Sequence, residues 1–165
     1  MSNKLFAAII VIGCLSAVPV HTYAAEPHDP HQGIELSPDL LNLLRAEMRE
    51  IAGGVQVIAL SLATADWMSI QESSTKMKAS YIMEKKLTAA QAKELEQALP
   101  ENFKQLDAEF HQRAERLGVA AAAHDPELVA FQYSRLIESC ALCHSAYAKS
   151  RFPGFSSPAR QDYHH

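Results

Sequence analysis

Leu41, Leu44, Met48, Ile51, Val55, Ile58 and Leu62 follow one another in steps of 3,4,3,4,3,4. Such spacing returns to one side of an α-helix every turn and leaves an apolar seam that must be buried against a nearly parallel helix. Ser37-Pro38-Asp39 precedes the seam and reads as a helix start, with Ser as N-cap, Pro at the first helical position and an acid in the first turn. Asp125-Pro126-Glu127 repeats that logic near the other end. After it, Val129, Tyr133, Leu136, Cys140, Cys143 and Tyr147 alternate steps of 4 and 3.

Between these two seams, Asp66 is placed to cap a second helix, where Trp67, Ile70, Met77 and Tyr81 form a weaker stripe broken by Ser74. Lys85-Lys86-Leu87-Thr88 reads as a connection, with Thr88 capping a short helix through Leu99 that Pro100 ends. Phe103, Leu106, Phe110, Ala114 and Leu117 make a third long helix that fades near Ala123. No strand-like alternation of useful length occurs. The expected fold is all-α, a four-helix bundle with one short extra helix in a connection, and bundles build cofactor sites from facing helices. Gly53-Gly54 interrupts the first seam at a helix-propensity cost of about 1 kcal/mol per Gly relative to Ala. Close approach of a bulky group, such as a cofactor face, is one reason to keep glycine there.

The last seam carries the chemistry. Cys140-Ala141-Leu142-Cys143-His144 matches the Cys-x-x-Cys-His pattern of covalent c-type haem attachment. Each thiol adds across one haem vinyl group, and residues three apart on a helix are neighbours on one face, so both sulfurs reach one porphyrin edge. His144 follows on the same turn, where its imidazole can bind iron. A structural zinc site needs two more Cys or His ligands, and the only other cysteine is Cys14. A thioredoxin-like redox pair needs a βαβ context that the chain lacks. One covalent haem c is therefore expected.

Residues 1–24 read as a secretory signal peptide: Lys4 supplies the positive start, Leu5 to Val20 is apolar, and Thr22-Tyr23-Ala24 offers a small-residue cleavage site. The stretch falls short of the roughly 20 apolar residues of a membrane span. Val11-Ile12-Gly13-Cys14 also resembles a lipobox, an alternative in which Cys14 anchors a lipoprotein. Either route places the mature domain outside the cytoplasm, in the periplasm. Residues 25–36 form a polar lead-in, 37–150 the bundle, and 151–165 a C-terminal tail that Pro153, Gly154 and Pro158 keep from continuing as helix. The chain has 15 Lys and Arg against 19 Asp and Glu, and losing Lys4 with the leader makes the remainder slightly more acidic. No basic stripe suits nucleic acid.

A haem motif on the closing helix of an all-α chain resembles the cytochrome c′ family, the class II cytochromes c, over residues 37–150. Cys140, Cys143 and His144 carry the resemblance, with Tyr147 at a place where members often have an aromatic. The family commonly has a basic residue next; here that place is Ala148, with Lys149 or Arg151 as substitutes for contacts to the haem propionates. The segment Arg151-Phe152-Pro153-Gly154-Phe155 lies outside the family pattern, its one expected role being to cover a bundle end.

One branch of that family leaves iron five-coordinate and binds nitric oxide or carbon monoxide. A second, low-spin branch places a methionine of the first helix on the iron, and Met48 stands where that branch has its ligand. The alternative for Met48 is core filling. Met68, Met77 and Met83 are competitors without support from the resemblance. His111 sits beside the third seam and is a weaker second-ligand candidate, while His28, His31, His124, His164 and His165 read as solvated. Arg45 and Arg49 bracket Met48 and are placed to reach a propionate. The resemblance implies a non-enzymatic one-electron carrier with redox partner proteins, or alternatively a gas-binding or sensing protein, in either case a potential homodimer.

Overall fold

Three of the predicted helix starts, those at Asp66, Thr88 and Asp125, are closed by local side-chain caps. The computed structural model describes residues 34–156; the leader with Cys14, His28, His31, His164 and His165 lie outside the described residues. Helix α1 (Pro38–Thr64) ends at Ala65, whose positive φ of 55° lets its N–H return to the Leu62 carbonyl. Asp66 then caps α2 (Trp67–Lys78), its carboxylate accepting from the Ser69 N–H at 3.1 Å and hydroxyl at 2.6 Å. A single-turn helix, α3 (Met83–Lys86), occupies part of the expected connection. Thr88 and Gln91 form a reciprocal capping box that opens α4 (Ala89–Ala98). Helix α5 (Glu101–Ala122) follows Pro100, and α6 (Pro126–Tyr147) starts where Asp125 accepts from the Leu128 N–H at 2.9 Å. Ser37 differs from expectation. It stands at the N-cap, its carbonyl accepting from the Leu41 N–H at 2.9 Å, but its side chain makes no capping bond; its N–H and hydroxyl donate to the Glu94 carboxylate of α4 at 2.6 and 3.0 Å, which ties the start of α1 to α4.

Contacts between named residues fix the directions of the four long helices. Gly54 and Glu47 of α1 meet Met77 near the end of α2 and Ser80 just after it; Ser74 and Met77 of α2 meet Gly118 and His111 of α5; Arg113 and Asn102 of α5 meet Glu138 and Tyr147 of α6. In every pair the sequence rises along one helix as it falls along the other. The bundle therefore runs up, down, up, down, and α6 is antiparallel to α1. Ile51, Ile58, Ile70, Met77, Phe110, Ala114, Leu117, Val129 and Leu136 fill the shared core.

The seam of α1 is turned from its predicted centre. Leu40, Glu47, Ile51, Gly54, Ile58 and Ser61 are buried, whereas Leu41, Leu44, Val55 and Leu62 are half-buried and Met48 is 40% exposed. The surprise is Glu47, only 4% exposed. Its carboxylate accepts from the Ser80 hydroxyl at 3.0 Å and from the N–H groups of Tyr81, Ile82 and Met83 at 2.8, 2.5 and 3.3 Å. Those N–H groups belong to the corner between α2 and α3, which has no helical acceptor for them; one charged side chain satisfies them together. The corner itself is made by Ser80 at a φ of 51°.

Gly54 has a second task. A Cβ there would stand 2.6 Å from the Tyr81 hydroxyl and 2.7 Å from the Met77 methyl, while one on Gly53 would meet nothing within 4 Å. The bulky neighbours that require glycine thus come from α2 and the turn after it, which corrects the idea of a cofactor face at this position. On the opposite side of the bundle, the buried Arg113 guanidinium pairs with Glu109 on its own helix and with Glu138 of α6 at 2.9 Å.

Two stability measurements follow from these contacts. Gly53→Ala is expected to stabilise the protein by about 0.5–1 kcal/mol in chemical denaturation, the helix-propensity gain with no steric cost. Gly54→Ala should lose that gain to the Tyr81 and Met77 contacts. Glu47→Ala should destabilise by about 3 kcal/mol, because several buried donors lose a charged acceptor at once. Glu47→Gln, which keeps one acceptor oxygen, should cost less than the alanine change.

Candidate functional site

One hydrogen bond sets the level of α1 against that of α6. The Tyr133 hydroxyl of α6 donates to the Val55 carbonyl of α1 at 3.3 Å. Seven residues back along α1 is Met48, and seven residues forward along α6 is Cys140. Each step is two helical turns, about 10.5 Å along the axis, and stays on nearly the same face. Since the helices are antiparallel, both steps lead the same way, so Met48 and Cys140 stand at one level. Eleven residues in the same directions reach Leu44 and His144, again level with each other. Helical rise thus brings Met48 to about the level of the Cys140–His144 segment.

The donor set has the character that a c-type haem requires. Cys140 and Cys143 are free thiols, both half-buried. Burial pushes both upward in pKa, Cys143 to about 11 with the negative charge of Asp107 adding to the effect, so both are neutral thiols at ordinary pH. The Cys140 thiol leans on the Leu136 carbonyl at 3.7 Å. His144 is half-buried, and desolvation holds its pKa below the ordinary histidine value. That favours the neutral imidazole, the form that binds a metal. Half-buried Leu41 and Leu44 add apolar surface on the α1 side. These residues fit a flat apolar group attached through two sulfurs and ligated through one imidazole. Among the described residues no three His, Cys, Asp or Glu side chains gather to hold a metal ion, so the thiol pair has no complete zinc ligand set there.

Other candidates separate cleanly. Met77 is fully buried in the core against Gly54, Met68 is 78% exposed, and Met83 begins α3 rather than lying on α2. His111 places Nδ1 2.7 Å from the Met77 carbonyl, with Nε2 3.6 Å from Asp107, so its ring serves the α2–α5 contact. His124 is exposed, with its ring 5.9 Å from the stacked ring of Trp67. Arg45 and Arg49 are both exposed. Tyr147 packs edge-on against Phe103, centroids 5.3 Å apart, and its hydroxyl accepts from Asn102 at 3.1 Å; it holds the end of α6 onto the start of α5.

One neighbour of the site has no local signal in the sequence. Phe152, beyond the end of α6, stacks on the His144 imidazole with ring centroids 4.6 Å apart and planes 27° from parallel.

Comparison with protein families matches the chain to the family model described as Cytochrome C' over residues 40–148. Comparison with curated proteins and with solved structures returned no match.

Proposed function

The chain belongs to the cytochrome c′ family, and from that premise we propose that it is an exported, periplasmic one-electron carrier rather than an enzyme. Membership implies a covalently bound haem c and a role in electron transfer or gas binding. In this reading one haem is held by Cys140 and Cys143, with His144 and Met48 as axial ligands. The observation that supports this choice of ligand is the Tyr133–Val55 hydrogen bond between α6 and α1, from which one heptad along each helix brings Met48 to about the level of Cys140. Its side chain is 40% exposed, not locked into the core as Met77 is. A thioether in that position is available as a donor.

When bound, the haem supplies reversible one-electron chemistry between ferric and ferrous iron, at a potential set by its axial donors and their surroundings. The chain's own residues do the rest. Cys140 and Cys143 fix the group to one face of α6. His144 contributes a neutral imidazole, kept so by burial. Met48 offers a soft sulfur that favours the reduced metal and raises the potential relative to histidine alone. The apolar surface of Leu41 and Leu44 acts in the same sense, because net charge on the oxidised centre is costlier in a low dielectric. Glu47, immovable in its nest of N–H donors beside Met48, keeps that turn of α1 at a fixed height. Redox partner proteins are the proposed electron donor and acceptor, with no part for nucleic acid.

Absorption spectra of protein exported from a haem-attaching host test the proposal. The oxidised protein should be low-spin with a weak near-infrared iron–sulfur band, and Met48→Ala should abolish that band. Carbon monoxide should bind the reduced parent slowly or negligibly and the Met48→Ala variant readily. A high-spin parent that takes up carbon monoxide at once would instead make this a gas-binding member of the family, with Met48 as a pocket residue. Colourless protein, or pigment released into acidic organic solvent, would remove the covalent haem altogether.

A further inference from the structure

We propose that Phe152, supplied by the segment after α6, is a positioning residue that fixes the plane of the His144 imidazole and shields it from water. The inference rests on the proposed role of His144 as iron ligand. It begins with position 148, one turn beyond His144 and therefore its neighbour on the helix face. Alanine there reaches no farther than its methyl group and covers nothing. The helix ends at that residue, and the chain folds back at once: the Ala148 carbonyl accepts from the N–H groups of Arg151 at 3.0 Å and Phe152 at 2.9 Å. Pro153 opens a 3₁₀ turn through Ser156, and the Phe155 N–H donates to the Phe152 carbonyl at 3.1 Å. Phe152 is thus held through both its backbone N–H and its carbonyl.

Its ring lies nearly flat on the imidazole, with centroids 4.6 Å apart. Face-on contact leaves the two ring nitrogens, which sit at the imidazole edge, free to bind a metal and to donate a proton. It opposes rotation of the ring about its bond to Cβ. Groups beyond a metal's own ligands act this way, orienting the ligand and tuning the metal. Here the orienting group is an aromatic face rather than the hydrogen-bond acceptor that more often serves. The Arg151 guanidinium, 5.9 Å from the Phe152 ring centroid, is at the outer limit of cation–π range and adds little.

The test uses the full-length haem-loaded protein with Phe152→Ala, Phe152→Leu and Phe152→Tyr. Electron paramagnetic resonance g values sense the orientation of the axial imidazole, and the reduction potential senses water access. Phe152→Ala should keep covalent pigment and helical content while its g values move and its potential falls. Phe152→Tyr should restore both readings to those of the parent. Phe152→Leu, which retains apolar bulk without a flat face, covers the case in which the alanine variant loses helicity; its g values should still move. Parental g values and potential in a folded alanine or leucine variant would overturn the role of Phe152 while leaving the haem assignment intact. A colourless parent would overturn the haem assignment itself, and this inference with it.

Discussion

The antiparallel crossing of α1 and α6 is the constraint on which the site depends. The Tyr133–Val55 hydrogen bond is one interaction of modest strength, of order 1 kcal/mol, yet it marks where two long helices share a level. Given that level, helical rise alone dictates which residues face each other below it. A shift of α1 by one turn, about 5.4 Å, would set Leu44 or Ala52 opposite Cys140 in place of Met48. Chemistry in this fold is therefore a question of register, and register is where the protein spends its buried charge.

Two buried charged groups lock the helices along their length. Glu47 joins α1 to the corner after α2, and Arg113 joins α5 to α6. Burying a charge is unfavourable unless hydrogen bonds replace the lost water; both groups meet that demand, Glu47 with one hydroxyl and three backbone N–H donors, Arg113 with two carboxylates and a carbonyl. Hydrophobic contact is non-directional and tolerates sliding by a turn when one aliphatic residue replaces another. A carboxylate that must meet the N–H groups of one particular corner does not. The apolar core supplies cohesion, and these groups select among the registers that cohesion would allow.

Much of this was legible in the sequence because it is written locally. Asp66, Thr88 and Asp125 each cap the helix that follows them; of the expected α6 seam, Val129 and Leu136 are buried, Tyr133, Cys140, Cys143 and Tyr147 are half-buried, and Ser139, outside it, is buried as well. The Cys140, Cys143 and His144 cluster is legible for the same reason, since five consecutive residues carry it. What failed to read correctly was settled by distant partners. The α1 seam was centred on aliphatic residues, and a glutamate at its buried centre breaks the apolar pattern by which such a centre is found. Only the N–H groups of residues 81–83, more than thirty positions away, explain it. Gly54 and Ser37 misread likewise, for their partners are Tyr81 and Met77 in one case and Glu94 in the other. The spacing puts Met48 in the seam; its 40% exposure places it at the seam's edge.

The halves of α6 divide the work accordingly. Val129 and Leu136 are fully buried among residues of the shared core, and the Arg113–Glu138 pair anchors the same stretch. From Cys140 onward the side chains are at most half-buried, and Tyr147 and Phe152 take over the packing from outside the core. Such a gradient suits a protein that takes a covalent haem: one end is cohesive enough to keep the helices in register, the other open enough for two thiols and an imidazole to be reached. The tail completes that logic. Phe152 follows the histidine in sequence and comes from beyond α6, so it covers the face of the imidazole and leaves the ring nitrogens at its edge uncovered by that contact.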